Sequence, residues 1–288
     1  MKCDRAWQQL QTCLVGYGYF KFCMLSCSAI VLTTSTLETN LKHVLLITGG
    51  SRGIGEATAL LAAQDGWAVA VNYANNQAAA NQVVQAIAQA GGQAIAVQGD
   101  VANEAHIMRM FATVDQQLGP VTGLVNNAGV VDVTARVEDM SWQRLERMMR
   151  INVLGSFACA KEAIRRMSTR HGGQGGVIVN LSSVAARLGA PAQYVDYAAS
   201  KGAIDTFTVG LAKELATENI RVNAVRPGVI DTDIHASGGL PNRARDLAPL
   251  IPMQRAGTAQ EIAESIVWLL SDKASYVTGT CLDVGGGR

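Results

Sequence analysis

The sequence predicts an α/β fold, a doubly wound parallel sheet in a single domain spanning residues 42–288. Three observations carry this expectation. Short apolar runs alternate with helical stretches from His43 to the C-terminus. A glycine-rich turn, Gly49-Gly50-Ser51-Arg52-Gly53-Ile54-Gly55, joins the first apolar run to the first helix. No internal repeat and no linker follows Leu41.

Val44-Leu45-Leu46-Ile47 is continuously apolar, as a strand buried on both faces of a parallel sheet must be. A helix is expected from Glu56 to Gln64, closed by Asp65-Gly66. A strand over Trp67–Val71 and a helix from about Asn76 to Ala90 follow, the latter ended by Gly91-Gly92. The third strand is Ala94–Val97, with Asp100 just past its end, and a helix covers about Glu104–Leu118. Strand Thr122–Val125 then runs into Asn126-Asn127-Ala128-Gly129. A long helical stretch from about Ser141 to Ser168 breaks near Gly155 and precedes strand Val177–Leu181. A helix bearing Tyr197 and Lys201 extends to about Thr217, and strand Arg221–Val225 ends at Arg226-Pro227-Gly228. A polar, glycine-rich segment from Asp231 to about Arg245 reads as mobile. Helix Ala259–Leu270 and strand Thr280–Val284 complete the alternation.

Composition narrows the function. With 49% hydrophobic and 16% charged residues among 288, a sizeable core forms and general disorder is excluded. A net charge of +1 without a basic block speaks against nucleic acid or an anionic membrane as partner. Only Cys159 and Cys281 lie in the body of the chain, which excludes a disulfide framework there and fits a reducing, cytoplasmic compartment. No spacing suits a metal, so none is expected. Residues 1–41 read as a poorly ordered extension. Their apolar stretch invites an anchor reading, but Lys21 at its centre would cost about 2.5–3.5 kcal/mol to insert.

Two stretches carry chemistry. In the glycine turn, residues without a Cβ let the backbone turn tightly and approach a pyrophosphate whose charge rests on a helix N-terminus. Its spacing departs from the usual Gly-x-Gly-x-x-Gly, since Thr58 stands where a third glycine would fall; an ordinary strand-to-helix turn is the competing reading. In Tyr197-Ala-Ala-Ser-Lys201, two side chains four apart share a helix face. A tyrosine hydroxyl ordinarily titrates near 10, and a neighbouring ammonium lowers that value and makes it a usable general acid or base. A solvated helix face is the alternative for this pair taken alone.

Thr48-Gly49-x-x-x-Gly53-x-Gly55, Asn126-Asn127-Ala128-Gly129, Tyr197-x-x-x-Lys201 and Pro227-Gly228 occur in this order. Together they resemble the short-chain dehydrogenase/reductase family over about Leu41–Arg288, and with it a Rossmann-type sheet. Ser182-Ser183 and Tyr276-Val277-Thr278-Gly279 are similar to sugar-dehydrogenase-like and 3-oxoacyl-reductase-like members. The resemblance implies a catalytic tetrad. Tyr197 exchanges a proton with the substrate oxygen, and Lys201 lowers its pKa and holds the cofactor ribose. Ser183 rather than Ser182 bonds the substrate oxygen, and Asn152 holds a water linking Lys201 to solvent. It also implies that Gly49, Ser51, Arg52, Gly53, Ile54 and Gly55 hold the pyrophosphate side of a dinucleotide. Asp100 and Val101 would contact adenine, and Asn127, within Asn127-Ala128-Gly129, the adjacent ribose. Ile230 and Thr232 would contact the nicotinamide amide, and Pro227 and Gly228 would also bind the cofactor. Tyr194, without a lysine four residues on, is left as a pocket wall or packing residue.

The cofactor reading rests on charge. An NAD enzyme commonly places an acid after the second strand to accept from the ribose 2′-hydroxyl, but Asn72-Tyr73-Ala74-Asn75-Asn76 contains none. Arg52 offers a guanidinium to the 2′-phosphate of NADP. NADP is therefore favoured, with NAD as the alternative. The expected activity interconverts a carbonyl and a secondary alcohol on a small sugar, ketone or 3-oxoacyl compound. A non-catalytic NADP-binding sensor or scaffold is the competing class. Weakly charged helices at Gly155–Met167 and Ala203–Leu215 need covering by something besides their own sheet, and the family resemblance implies that they pair between subunits in a homotetramer or homodimer.

Overall fold

The computed structural model describes residues 43–234 and 238–288. The expected N-terminal extension, residues 1–41, lies outside the described residues. Strands β1 (Val44–Ile47), β2 (Ala68–Tyr73), β3 (Ala94–Gln98), β4 (Gly123–Asn126), β5 (Gly176–Leu181), β6 (Ile220–Pro227) and β7 (Cys281–Val284) form one sheet in the order 3-2-1-4-5-6-7. Every pairing is parallel. The main connections are helices: α1 (Gly53–Gln64), α2 (Gln77–Gln89), α3 (Glu104–Gln117), α4 (Trp142–Met149) and α5 (Gly155–Met167). They continue with the short α6 (Ala185–Leu188), α7 (Val195–Leu215), the short α8 (Arg243–Leu247) and α9 (Ala259–Leu270).

Alternation along β1 shows how the sheet is covered. Leu45 and Ile47 pack against α1, α2 and α9, whereas Val44 and Leu46 face α3, α5 and α7. All four are buried, and each such side chain contributes about 1.5–3 kcal/mol by leaving water. The strand order reverses between β1 and β4. At such a switch point the connections diverge to opposite faces and leave a crevice beyond the C-terminal strand ends.

Three differences from the sequence expectation have a clear physical reason. The strand expected to end at Val71 runs on to Tyr73, because Asn72 and Tyr73 pair with Val97 and Gln98 of β3. Both residues are buried, so the exposed stretch after β2 begins at Ala74 and is still without an acid. The break near Gly155 is a π turn, Arg150–Leu154, inserted between α4 and α5 rather than a loop. The segment read as mobile from Asp231 to Arg245 includes the start of α8, whose Ala244 is buried with Val229 and Ile251. Residues 235–237 lie outside the described residues.

Candidate active site

The glycine turn is sewn to three strand ends by side-chain amides and one hydroxyl. Asn72 Oδ1 accepts from the Gly49 N–H at 3.1 Å, and its Nδ2 donates to the Gly99 carbonyl at 2.9 Å. Thr48 Oγ1 accepts from the N–H groups of Asn127 and Ala128, both at 3.0 Å. Asn127 Nδ2 donates to the carbonyls of Thr48 and Gly49, both at 2.9 Å. Both amide hydrogens of Asn127 thus hold the turn, while the residue also lines the cleft. Gly53 adopts a left-handed φ of +57° as the chain enters α1, a conformation favoured for glycine, and packs beside Thr232. The first N–H groups of a helix have no intrahelical partner, and the Arg52 side chain does not cap those of α1. Ser51 is half-buried and Arg52 is exposed.

A cleft of about 320 Å³ opens at the switch-point edge of the sheet. Among the expected site residues, Ile54, Asn127, Gly129, Ser183, Tyr197, Lys201, Pro227, Gly228, Ile230 and Thr232 line it. Gly49 and Gly55 belong to the turn itself, and Gly49 packs closely against Ala128. Asp100 and Val101 lie beyond the end of β3, away from the cleft. Asp100 Oδ1 accepts from the Ala102 N–H at 2.9 Å, a local turn bond, and Val101 packs on Gly155.

Within the cleft, Tyr197 projects from the first turn of α7 and Lys201 from the next. Ser183, just past β5, lies beside the Tyr197 hydroxyl in the cleft, and its Oγ accepts from the Ala185 N–H at 3.1 Å. Ser182 instead donates to the Lys201 carbonyl at 3.2 Å, so Ser183 and not Ser182 meets the tyrosine. Burial pushes the Tyr197 hydroxyl above its ordinary pKa, and the Ser183 hydroxyl beside it pulls it partly back. The net shift on Tyr197 in the protein alone is therefore upward. Lys201 Nζ lies 5.6 Å from the centre of the Tyr197 ring and donates to the Leu181 carbonyl at 2.6 Å. Burial lowers the pKa of Lys201 to about 8, against an upward pull from Asp205 one turn further along α7.

Asn152 sits in the π turn, a helical irregularity that recurs at functional sites. Its Oδ1 accepts from the Val130 N–H at 2.8 Å, while Nδ2 donates to the Val130 carbonyl at 2.9 Å and to Ser200 Oγ at 3.1 Å. The side chain thus clamps the loop after β4 to α7. Direct contact with Lys201 is not made: Gly129 comes close to both groups.

Sequence reading missed four residues that shape the cleft. Asn72 was read only as the lack of an acid. Arg144 and Asp196 form a buried two-pronged ion pair at 2.8 and 3.1 Å that anchors the start of α7. Residues 52 positions apart gave no local signal of this pairing. Arg243, in the segment read as mobile, lines the cleft beside Tyr194. Among the described residues, no cluster could hold a metal ion and no helix is long and apolar enough to cross a membrane.

A parallel sheet with this strand order, a glycine turn at the switch point and a Ser–Tyr–Lys cleft define an oxidoreductase, and the chain belongs to the short-chain dehydrogenase/reductase family. A family model described as enoyl-(acyl carrier protein) reductase matches residues 49–288. Over 245 residues the chain is 55% identical to an uncharacterized oxidoreductase of Escherichia coli, covering 85% of this chain and 99% of that one. It is 39% identical to a 3-oxoacyl-[acyl-carrier-protein] reductase of Synechocystis, covering 85% and 96% of the two chains. A solved short-chain dehydrogenase/reductase from Serratia marcescens superposes with a TM-score of 0.78 at 34% identity, covering 85% of this chain and 97% of that one.

Proposed function

We propose that the protein is an NADP-dependent oxidoreductase that interconverts a carbonyl and a secondary alcohol. The observation that carries this is the meeting of Ser183, Tyr197 and Lys201 in one cleft with the glycine turn at its rim. A dinucleotide fits this rim because uncapped N–H groups at the start of α1 suit a pyrophosphate and no acid follows β2. Gly49, Ser51, Arg52, Gly53, Ile54 and Gly55 would hold its phosphate side, with Asp100 and Val101 toward the adenine. Pro227, Gly228, Ile230 and Thr232 would border the nicotinamide, which when bound supplies a hydride to the carbonyl carbon. In reduction, the Tyr197 hydroxyl gives its proton to the substrate oxygen while Ser183 donates a hydrogen bond to that oxygen. Lys201, as an ammonium, favours the phenolate left on Tyr197. Asn152 keeps α7 and the loop after β4 in register around them. The test is a panel of carbonyls and alcohols with NADPH and NADP, followed at the nicotinamide absorbance; no turnover of any member would contradict this reading.

The preference for NADP rests on Arg52. It is exposed, and among the described residues no carboxylate pairs with it. Arg52→Ala is expected to raise the KM for NADPH by about ten- to a hundredfold while leaving that for NADH nearly unchanged. Equal effects on both cofactors would show that Arg52 does not read the 2′-phosphate.

Self-association follows from an uncovered apolar face. Phe157 of α5 is 46% exposed although it stacks on Phe207 of α7 with ring centres 3.8 Å apart. Leu154 of the adjoining π turn and Val209 of α7 are also exposed. Covering this face with a second copy gives a homodimer or homotetramer. Light scattering is expected to find a multimer that Phe157→Glu dissociates, and a wild-type monomer would refute it. The substrate is a small carbonyl or 3-oxoacyl compound, and the expected setting is cytoplasmic.

A further inference from the structure

The cleft carries a charge that the proton-transfer chemistry does not use. Arg243, at the start of α8, lines it together with Tyr197 and Ser183. The guanidinium lies 5.1 Å from the centre of the Tyr194 ring, within cation–π range. Its Nη2 donates to Gln193 Oε1 at 2.8 Å. These two contacts fix the plane of the guanidinium. No carboxylate pairs with it among the described residues, and its Nε and Nη1 donors have no partner there. The cleft wall itself holds no Asp or Glu side chain among the described residues, whereas Lys201, Arg243 and Arg288 all contribute to it.

A positioned guanidinium with open donors in a concave, otherwise largely apolar site is built to receive an anion. One guanidinium with one nitrogen already engaged matches a singly charged, planar carboxylate better than a phosphate dianion. Leu188, Val229 and Leu247 supply apolar wall for a short carbon chain. We propose that Arg243 anchors the substrate and that the substrate class is an oxo acid and its hydroxy acid, the free carboxylate pairing with Arg243 while the carbonyl meets Tyr197 and Ser183. This rests on the carbonyl–alcohol reading above and narrows it. It also separates this cleft from one that takes a neutral ketone or an uncharged sugar.

The test compares a homologous series of short straight-chain oxo acids with their matching methyl esters, in the full-length protein with NADPH. The ester keeps the carbonyl and the chain but removes the charge. The wild type is expected to prefer acid over ester by about tenfold or more in kcat/KM. Arg243→Ala should lower kcat/KM for the acid by about ten- to a hundredfold, mainly through KM, and leave the ester unchanged. Arg243→Lys should fall between, since it keeps the charge but loses the planar fork. Unchanged melting temperature and NADPH binding in both variants guard against a folding effect. Equal use of acid and ester by the wild type, or equal loss of both in Arg243→Ala, overturns the proposal. If esters turn over and acids do not, the carbonyl reading stands and the anchor falls. If nothing in the series turns over, calorimetric titration of the same acids into wild type and Arg243→Ala decides: acid binding confined to the wild type supports the anchor, and no binding to either overturns it.

Discussion

A Tyr197→Phe variant is expected to keep its fold and its cofactor affinity and to lose about 10²- to 10⁴-fold in turnover, the usual worth of a positioned general acid or base. The ring lies against α7 and the cleft wall, so removing one oxygen leaves the packing in place. What disappears is the proton that must reach the substrate oxygen, together with the hydroxyl that stands beside Ser183. The loss should appear in kcat and kcat/KM alike, because the interaction belongs to the transition state. Tyr194→Phe is the control: Tyr194 is buried, and the altered ring still lies under Arg243. Near wild-type turnover in a folded Tyr197→Phe protein would remove Tyr197 from the chemistry. Equal losses in both variants would point to packing rather than proton transfer.

Gly55→Ala is expected to abolish measurable NADPH binding and to lower the melting temperature by several degrees. A methyl group at this position would stand 2.4 Å from the Gly49 carbonyl oxygen, 2.6 Å from Asn127 Nδ2 and 3.0 Å from the Gly50 Cα. Two of these are backbone atoms, and the third belongs to the amide that holds the turn against β4. None can yield without moving the turn itself, and overpacking of this kind costs about 1–3 kcal/mol. Gly202→Ala makes the contrast. It lies in α7 with nothing within 4 Å of the added carbon, and alanine favours a helix over glycine by about 1 kcal/mol. That variant should melt no lower than wild type. A calorimetric melt and a nucleotide fluorescence titration check both, and unimpaired binding by Gly55→Ala would show that the turn tolerates displacement.

The sequence made the sheet legible because a parallel strand has a simple signature. Val44–Ile47 is apolar on both faces, and its short length with a glycine turn at its end marks a strand rather than a helix. Tyr197 and Lys201 were legible for a similar reason, since a helix places residues four apart together. What escaped was set by partners distant in the chain. Asn72 is polar and ends an apolar run, so it reads as the end of the strand. Its burial is tolerated only because Gly49 and Gly99 supply partners. Arg144 and Asp196 are ordinary surface types until the fold joins them. Arg243 stood in a segment rich in glycine and polar residues, where nothing local distinguishes a cleft wall from an exposed loop. The π turn at Arg150–Leu154 has no compositional mark, and glycine at 155 suggested only a break.

That π turn has a consequence for how the protein can vary. It holds one residue more than a regular helix, and each helical residue rotates the direction of its neighbours by about 100°. The turn therefore sets the angular phase between α4 and α5. With this phase Asn152 is buried against the loop after β4, while Leu154 and Phe157 face outward. Substitutions can tune the inner or the outer surface separately. A change of length within residues 150–154 cannot, because it would swing both together. The clamp beside Lys201 and the apolar face around Phe157 are thus a single inherited unit as far as insertions and deletions are concerned.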